Sequence, residues 1–175
     1  MGKPKPFERQ KLIVGIMYCG EEMVSTVMKV LQELFGETDC ISEEYVFSDY
    51  STYYDGEMGD QVRKHFVSFR DLVDPSELAA IKLKTNELEQ ELSIAGDRHV
   101  NIDPCILSHG SFTMATTKGT GFRVPLSDGI YADLSLVYAR SGWMDFMWTY
   151  ADVKSEAMKA FLTKVRKLYL KQRKA

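Results

Sequence analysis

The chain has 175 residues, of which 45% are hydrophobic, 11% aromatic and 27% charged. This is ordinary globular usage, and it excludes wholesale disorder. A chain of this length buries roughly 70% of its unfolded surface, so it needs neither disulfides nor a metal to hold a core. We therefore expect one domain that spans residues 1–175.

Charge is distributed unevenly along the chain. Lys and Arg number 22 against 25 Asp and Glu, for a formal net charge of −3. Residues 154–175 hold eight of the basic side chains and one acid, Glu156, which leaves residues 1–153 with a net charge of −10. The basic segment is a candidate surface for RNA or an acidic partner. A solvated lysine-rich face is the simpler interpretation.

Several protein classes are not supported by the sequence. The cysteines Cys19, Cys40 and Cys105 are far apart and form no CxxC pair, so neither a disulfide framework nor a zinc ribbon is expected. The longest apolar run near the start, residues 12–18, is far shorter than the ~20 residues of a membrane span. No signal-peptide pattern is seen. We expect a cytoplasmic protein without a membrane partner.

The first elements predict a β-α-β opening. Residues 11–18 form a nearly continuous apolar run that is rich in β-branched residues, typical of a buried central strand. Residues 21–35 carry one apolar stripe at helical spacing, and Gly36 is placed to end that helix. Residues 41–47 alternate weakly and predict a second strand.

Two further helices are predicted in the middle of the chain. Residues 60–69 place Val62, Phe66 and Phe69 at helical spacing. Residues 74–94 open with the start signal Asp74-Pro75-Ser76-Glu77 and continue with apolar residues at spacings of three and four. Gly96 is expected to end this helix.

The last third of the chain predicts a sheet followed by a helix. Four segments have strand-like alternation or composition: residues 98–104, 111–118, 123–126 and 130–138. A helix with one apolar face follows over residues 154–171. The predicted fold is α+β, with a mixed, mostly antiparallel sheet covered by helices, a β-α-β opening and an amphipathic C-terminal helix.

Polar side chains share one face of the late strands. They lie opposite the apolar positions: His99, Asn101, Asp103, Lys118, Arg123, Tyr131 and Asp133. If these strands are antiparallel neighbours, the face forms a small-ligand site in which Lys118 and Arg123 bind a phosphate or carboxylate. Asp103 and Asp133 would bind hydroxyls. A solvated outer sheet face is the alternative.

The same acids raise the question of a metal. Asn101 and Asp103 point the same way on a strand and, together with Asp133, suit oxygen ligation of Mg²⁺ or Mn²⁺. Mg²⁺ is therefore a candidate cofactor, and an Asx cap of the following turn is the alternative for Asp103. The histidines show no HExxH or HxH spacing, so a zinc enzyme is not expected.

Two loops border the predicted site. Residues 48–59, called here the tyrosine loop, contain Tyr50, Tyr53 and Tyr54 and predict either a lid or a loop whose rings pack on the sheet. Residues 116–121, Thr-Thr-Lys-Gly-Thr-Gly, predict a phosphate cradle of backbone N–H groups or a bare turn between strands. The chain contains no GxxxxGK[ST] motif, so P-loop nucleotide hydrolysis is not expected.

Nine short strings follow one another along the chain: Lys11-Leu-Ile-Val-Gly15, Tyr53-Tyr54, Glu57-Met58-Gly59, Lys82, Thr85-Asn86-Glu87-Leu88, Asn101-Ile-Asp-Pro104, Ala115-Thr-Thr-Lys118, Asp128-Gly-Ile-Tyr131 and Trp148-Thr-Tyr-Ala-Asp152. Their order and spacing resemble those of one prokaryotic family, that of domain of unknown function 4416. The family has no established activity to carry over. Some members bear the label GTP-binding protein, but this chain has neither a P-loop nor an NKxD motif.

The resemblance extends the candidate site. The ligand-binding set becomes Lys118, Arg123, Asn101, Asp103, Tyr131, Asp133, Thr117, Tyr54, Glu57 and Asn86. The chain departs from the family's pattern at Cys105, where Gly is frequent, at Phe122, where His is usual, and at Asp133, where Glu is frequent. No catalytic residue is assigned.

The sequence thus predicts a cytoplasmic protein that binds a small anion, a nucleotide or a sugar phosphate, on a polar sheet face. Whether it is an enzyme stays open. One alternative is an RNA or ribonucleoprotein binding module that uses the basic C-terminal helix. Another is a scaffold protein that binds no ligand.

Overall fold

The computed structural model describes residues 2–59, 61–94 and 97–174. Within them the strands are β1 (Gln10–Tyr18), β2 (Thr38–Ile41), β3 (Tyr45–Val46), β4 (Arg63–Val73), β5 (Val100–Leu107), β6 (Ser111–Thr116), β7 (Val124–Pro125), β8 (Tyr131–Ala139) and β9 (Gly142–Asp145). The helices are α1 (Glu21–Phe35), α2 (Asp55–Met58), α3 (Leu78–Glu91) and α4 (Glu156–Gln172). Single 3₁₀ turns precede α2 and α3.

The strands form one sheet in the order β2-β4-β1-β5-β6-β8-β7, with β3 also paired to β4 and β9 to β8. The eight strand pairings are antiparallel. Strands β1 and β2 flank β4, so they run in the same direction with β4 inserted between them. The predicted α+β fold with a mostly antiparallel sheet is confirmed.

The predicted helix over residues 60–69 is wrong, because this segment is the start of β4. Val62, Phe66 and Phe69 recur at helical spacing, but every residue from Lys64 to Phe69 is buried. A strand covered on both faces shows no alternation, so the apolar spacing does not distinguish it from a helix. Asp60, the predicted first residue, lies outside the described residues.

Smaller shifts affect two other predictions. The second predicted strand, residues 41–47, divides into β2, which starts earlier, and the short β3. The helix predicted to start at Asp74 begins as a 3₁₀ turn, where the Asp74 carboxylate accepts a hydrogen bond from Ser76 N at 2.9 Å. Gly96 lies outside the described residues.

Helices cover both faces of the sheet. On one face, α1 and α3 pack their apolar side chains, such as Leu31 and Leu88, against Val14 and Ile16 of β1. On the other face, α4 packs against β4, β5, β6 and β8. Ser155 caps α4 by accepting a hydrogen bond from Met158 N. Among the described residues, no helix is long and apolar enough to cross a bilayer.

The register places polar residues on the α4 face of the sheet. Met17 of β1 lies between Lys64 of β4 and Asn101 of β5, and Gly15 lies between Phe66 and Asp103. Paired residues of antiparallel strands project to the same side. The face therefore changes from the apolar core under α4 to a polar patch at its far end.

The sheet opens between β5 and β6. Strand β5 pairs with β1 along its whole length, but with β6 only from Cys105 to Leu107. Pro104 has no N–H to donate to Ala115, the next position in register, so the ladder stops there. The free β5 edge is instead met by α3: Lys82 Nζ donates to Ile102 O at 2.8 Å, and Ile102 N donates to a Glu89 carboxylate oxygen at 2.7 Å.

Candidate functional site

A cavity of about 290 Å³ lies at this opening of the sheet and is called the pocket below. Its volume is near the lower end of the ~300–1,000 Å³ typical of small-ligand sites. Its walls come from the strands β4, β5, β6 and β8, from α3 and from the tyrosine loop. The segment before β5, the loop after β6 and residues 150–152 complete them. Four basic and four acidic side chains line it: Lys64, Lys82, Arg98, Lys118, Glu89, Asp103, Asp133 and Asp152. The pocket lining is thus rich in charged groups of both signs.

A buried ion pair lies in the pocket wall next to β4. Lys64 Nζ contacts Asp152 Oδ2 at 2.7 Å, and the Tyr45 hydroxyl donates to the same oxygen at 2.8 Å. Burial alone would lower the pKa of Lys64, but the negative charges of Asp152 and Asp103 outweigh it and raise that pKa above its ordinary value. The Lys64 ammonium therefore stays charged in the pocket wall.

A second network joins α3 to β5. Lys82 Nζ lies 3.1 Å from Asp103 Oδ1, and Asn101 Nδ2 donates to Asp103 Oδ2 at 2.7 Å. Burial would raise the pKa of Asp103, but Lys82 and Lys64 outweigh it, so this pKa lies below its ordinary value. Asp103 is therefore ionised, and each of its oxygens already accepts one protein hydrogen bond.

Glu89 differs from the other pocket acids. It is 6% exposed, and its Oε1 accepts the Ile102 N–H. Its nearest cationic atoms are Lys82 Nζ at 3.6 Å from Oε1 and an Arg98 nitrogen at 3.8 Å from Oε2. Burial raises the pKa of Glu89 to about 7. This carboxyl group is therefore poised to exchange a proton at neutral pH.

Arg123 fixes the wall formed by β8 and the loop after β6. Its Nε donates to Asp133 Oδ2 at 2.8 Å, one terminal nitrogen donates to Lys118 O at 2.6 Å, and the other donates to the Tyr150 hydroxyl at 2.8 Å. Ser135 Oγ donates to the second Asp133 oxygen at 3.1 Å. Arg123 thus holds three lining residues in place without lining the pocket itself.

Lys118 is the lining cation that lacks an acidic partner among the residues described. Its Nζ lies 4.1 Å from the centre of the Tyr53 ring, and Lys118 N donates to Thr116 Oγ1 at 3.1 Å. Thr116 and Thr117 line the pocket beside it. An exposed ammonium therefore stands at the pocket edge next to two hydroxyls.

The tyrosine loop forms part of the pocket wall. Tyr50, Tyr53 and Tyr54 line it, while Met58 of α2 anchors the loop in a small apolar cluster. Both carboxylate oxygens of Glu57 accept hydrogen bonds from Arg98 at 2.7 Å. The Arg98 hydrogen bonds lower the pKa of Glu57. The loop is therefore latched to the segment just before β5.

The structure brings together most of the residues predicted for the site. Seven of the ten line the pocket: Lys118, Asn101, Asp103, Asp133, Thr117, Tyr54 and Asn86. Arg123 and Glu57 lie behind the wall as ion-pair partners of Asp133 and Arg98. Tyr131 packs on Gly119, where an added Cβ would come within 2.9 Å of the ring. His99 is half-buried and does not line the pocket.

Five charged lining residues were not predicted from the sequence: Lys64, Lys82, Glu89, Arg98 and Asp152. Two signals were present. Lys82 and Asp152 lie in the strings that resemble the family. Lys82, Asn86 and Glu89 also follow at spacings of four and three and so share one face of α3. No sequence pattern marked Lys64 as a pocket residue, because it lies in an apolar strand.

The pocket acids do not form a metal centre. In the described part of the chain, no three His, Cys, Asp or Glu side chains are arranged to hold a metal ion. The oxygens of Asp103 and Asp133 already face Lys82, Asn101, Arg123 and Ser135. These residues do not fit a magnesium ion held by the protein alone.

The thiols are not activated. Burial raises the pKa of the Cys19 thiol and raises that of Cys105 well above its ordinary value. Cys105 lies inside β5, so no tight turn follows Asp103-Pro104. A cysteine nucleophile therefore has no support in the pocket.

A family model described as domain of unknown function (DUF4416) matches residues 8–169 of the chain. The match confirms the resemblance identified from the sequence strings. Searches of curated proteins and of solved structures gave no match.

Proposed function

Because the chain belongs to the DUF4416 family, whose description names no activity, we propose its function from the lining of the pocket. The protein binds a small anion that also carries hydroxyl groups, namely a nucleotide or a sugar phosphate. The observation that carries this proposal is the position of Lys118, an ammonium group without an acidic partner among the described residues, at the edge of a pocket lined by carboxylates.

In this proposal, Lys118 and its neighbours bind the anionic group of the ligand. The ammonium now rests on the Tyr53 ring, an exposed cation–π contact worth ~0.5–1 kcal/mol. A phosphate offers shorter, charge-assisted hydrogen bonds. The hydroxyls of Thr116 and Thr117 are close enough along the chain to share the same phosphate. Exchange of the ring for a phosphate is therefore favourable.

In the same proposal, the acidic side chains of the pocket bind the hydroxyl groups of the ligand. Asp103 and Asp133 each accept protein hydrogen bonds, but a carboxylate has about four acceptor sites. Lys82 and Arg123 hold the two acids in fixed positions. A ribose or hexose ring can thus donate hydroxyl hydrogen bonds to both.

The two alternatives have weaker support. A concave, charged pocket is not needed by a scaffold protein that binds no ligand. RNA binding by α4 rests on Lys164, Lys167 and Lys171, while Lys159 and Arg173 pair with acids of the chain. RNA binding predicts retention that falls steeply with salt and is lost on charge reversal at Lys164, Arg166 and Lys167; salt-independent or absent retention removes it.

A thermal-shift screen tests the proposed function. The probes are AMP, ribose 5-phosphate and glucose 6-phosphate, each with and without Mg²⁺. A ligand at 100 times its Kd adds ~2.7 kcal/mol of stability, or about 5–10 °C in Tm for a chain of this length. Lys118→Ala should lose most of the shift, whereas Lys84→Ala, an exposed lysine on α3, should keep it. No shift with any probe, or an equal shift in Lys118→Ala, overturns the proposal.

A further inference from the structure

We propose that the pocket takes up a proton on Glu89 when it binds its anion, so that affinity falls as the pH rises above neutrality. This inference rests on the proposed function, because it needs an anion in the pocket. It assigns Glu89 a role that differs from those of the other three acids.

The ion-pair distances single out Glu89. Each of the other acids has a cation within 3.1 Å: Asp103 has Lys82, Asp133 has Arg123 and Asp152 has Lys64. Glu89 has none closer than 3.6 Å. Protonation of Glu89 therefore loses less ion-pair attraction than protonation of any of the other three acids. It leaves the pocket lining with four cations and three carboxylates.

The hydrogen bonds of Glu89 permit both protonation states. Oε1 keeps the Ile102 N–H at 2.7 Å whether or not the group is ionised. Oε2 has no donor within hydrogen-bonding distance among the residues described; its nearest cationic nitrogen, on Arg98, is 3.8 Å away. A proton on Oε2 would turn this acceptor into a donor. Such a change removes the repulsion between Glu89 and an anion bound in the pocket, and it lets Oε2 donate a hydrogen bond.

Titratable groups from four parts of the chain determine the balance between the ionised and protonated forms of Glu89. Lys82 faces it from α3 and Arg98 from the segment before β5, and both favour the ionised form; Asp103 of β5 opposes it. Tyr54 of the tyrosine loop faces it as a neutral phenol, since burial raises the pKa of Tyr54. Glu57 acts indirectly, because it is the closer ion-pair partner of Arg98 and competes with Glu89 for that cation. A bound anion adds one more negative charge, which favours the protonated form.

Calorimetry of the wild-type protein tests the inference with ribose 5-phosphate and AMP. Both probes are dianionic at pH 7.5 and above, since the second phosphate pKa is about 6. Affinity should fall about tenfold between pH 7.5 and pH 8.5, as expected for one group that must be protonated. Titrations at pH 7.5 in two buffers of different ionisation enthalpy should show uptake of between about one half and one proton.

Two variants locate the proton. Glu89→Gln keeps an oxygen for the Ile102 N–H, and its affinity should not change between pH 7.5 and pH 8.5. Glu87→Gln, an exposed position on the same helix, should keep the wild-type pH dependence. Binding of a probe without proton uptake, or an unchanged pH dependence in Glu89→Gln, overturns this inference alone. Failure of both probes to bind the wild-type protein from pH 6.5 to pH 8.5 overturns the proposed function as well.

Discussion

Ile102 is the residue at which the sheet edge, helix α3 and the pocket meet. Its N–H and C=O face away from β1 at a point where β6 has separated. An unpaired buried backbone group costs on the order of 1–3 kcal/mol, and here Glu89 and Lys82 supply the missing partners. These two hydrogen bonds therefore stabilise the opening of the sheet that creates the pocket.

Lys82→Met tests this role. The substitution removes the ammonium group from Ile102 O and leaves Asp103 and Glu89 without their shared cation. Breaking a buried ion pair in this way costs about 3–5 kcal/mol, measured as the free energy of unfolding in urea. Lys84→Met, at an exposed position of the same helix, should change stability by less than about 0.5 kcal/mol. Equal stability of the two variants would contradict the bridging role of Lys82.

Glu89 also predicts a pH dependence of stability. Its pKa is raised from 4.5 to about 7 in the folded protein, so between these values the folded state holds a proton that the unfolded chain has released. Ionisation of Glu89 therefore lowers stability as the pH rises through this window, by about 3 kcal/mol in total. The free energy of unfolding in urea is to be compared at pH 4.5 and pH 8. Relative to the wild type, the free energy of unfolding of Glu89→Gln should rise by about 3 kcal/mol between pH 4.5 and pH 8. A constant difference between the two proteins would be inconsistent with the raised pKa.

At the scale of elements, side chains of several residues attach the tyrosine loop to the rest of the protein. Its charged attachment is the ion pair of Glu57 with Arg98, in which both side chains are 34% exposed. Its apolar attachment is the cluster of Phe47 and Met58 with Met17 and Val62. Such a segment opens more readily than the strands beneath it. The Glu57–Arg98 ion pair is therefore the partly exposed attachment of the tyrosine loop.

Glu57→Ala should loosen the tyrosine loop. A partly exposed ion pair contributes about 0.2–1 kcal/mol, so chymotrypsin should cleave after Tyr53 or Tyr54 about 1.4 to five times faster. Asp49→Ala, at an exposed acid in the same loop, serves as the control and should cleave at the wild-type rate. Since the Arg98 contact lowers the pKa of Glu57, the latch should weaken when the pH falls far enough to protonate Glu57. Cleavage of Glu57→Ala at the wild-type rate would refute the latch.

The sequence predicts elements best where one face of an element is exposed. Helix α4 shows this, since its apolar stripe is visible as a pattern in the sequence. Strand β4 shows the limit, because burial on both faces removes the alternation that marks a strand. The pocket was predictable in part for a similar reason. Asn101, Asp103 and Asp133 alternate with apolar residues, whereas Lys64 and Asp152, 88 positions apart, meet only in the folded chain.

At the scale of the whole molecule, the charge asymmetry is partly used in docking the last helix. Arg166 donates to His109 O and lies 3.7 Å from the centre of the Tyr138 ring, while Arg173 pairs with Glu8. Basic side chains in α4 and just after it thus contact the rest of the protein. The pocket lies beyond α4 on the same face of the sheet, and its cations come from β4, α3, the segment before β5 and the loop after β6.

The most direct test of anion binding in the pocket is a titration of the ¹⁵N-labelled protein with ribose 5-phosphate and AMP, followed by NMR. The proposed function predicts that the amide signals of Lys118, Asn101 and Tyr53 shift and saturate together, while those of α4 between Lys164 and Lys171 stay in place. The shifts at these pocket residues should be lost in Lys118→Ala. Saturating shifts confined to α4, or no shifts with either probe, would contradict the account.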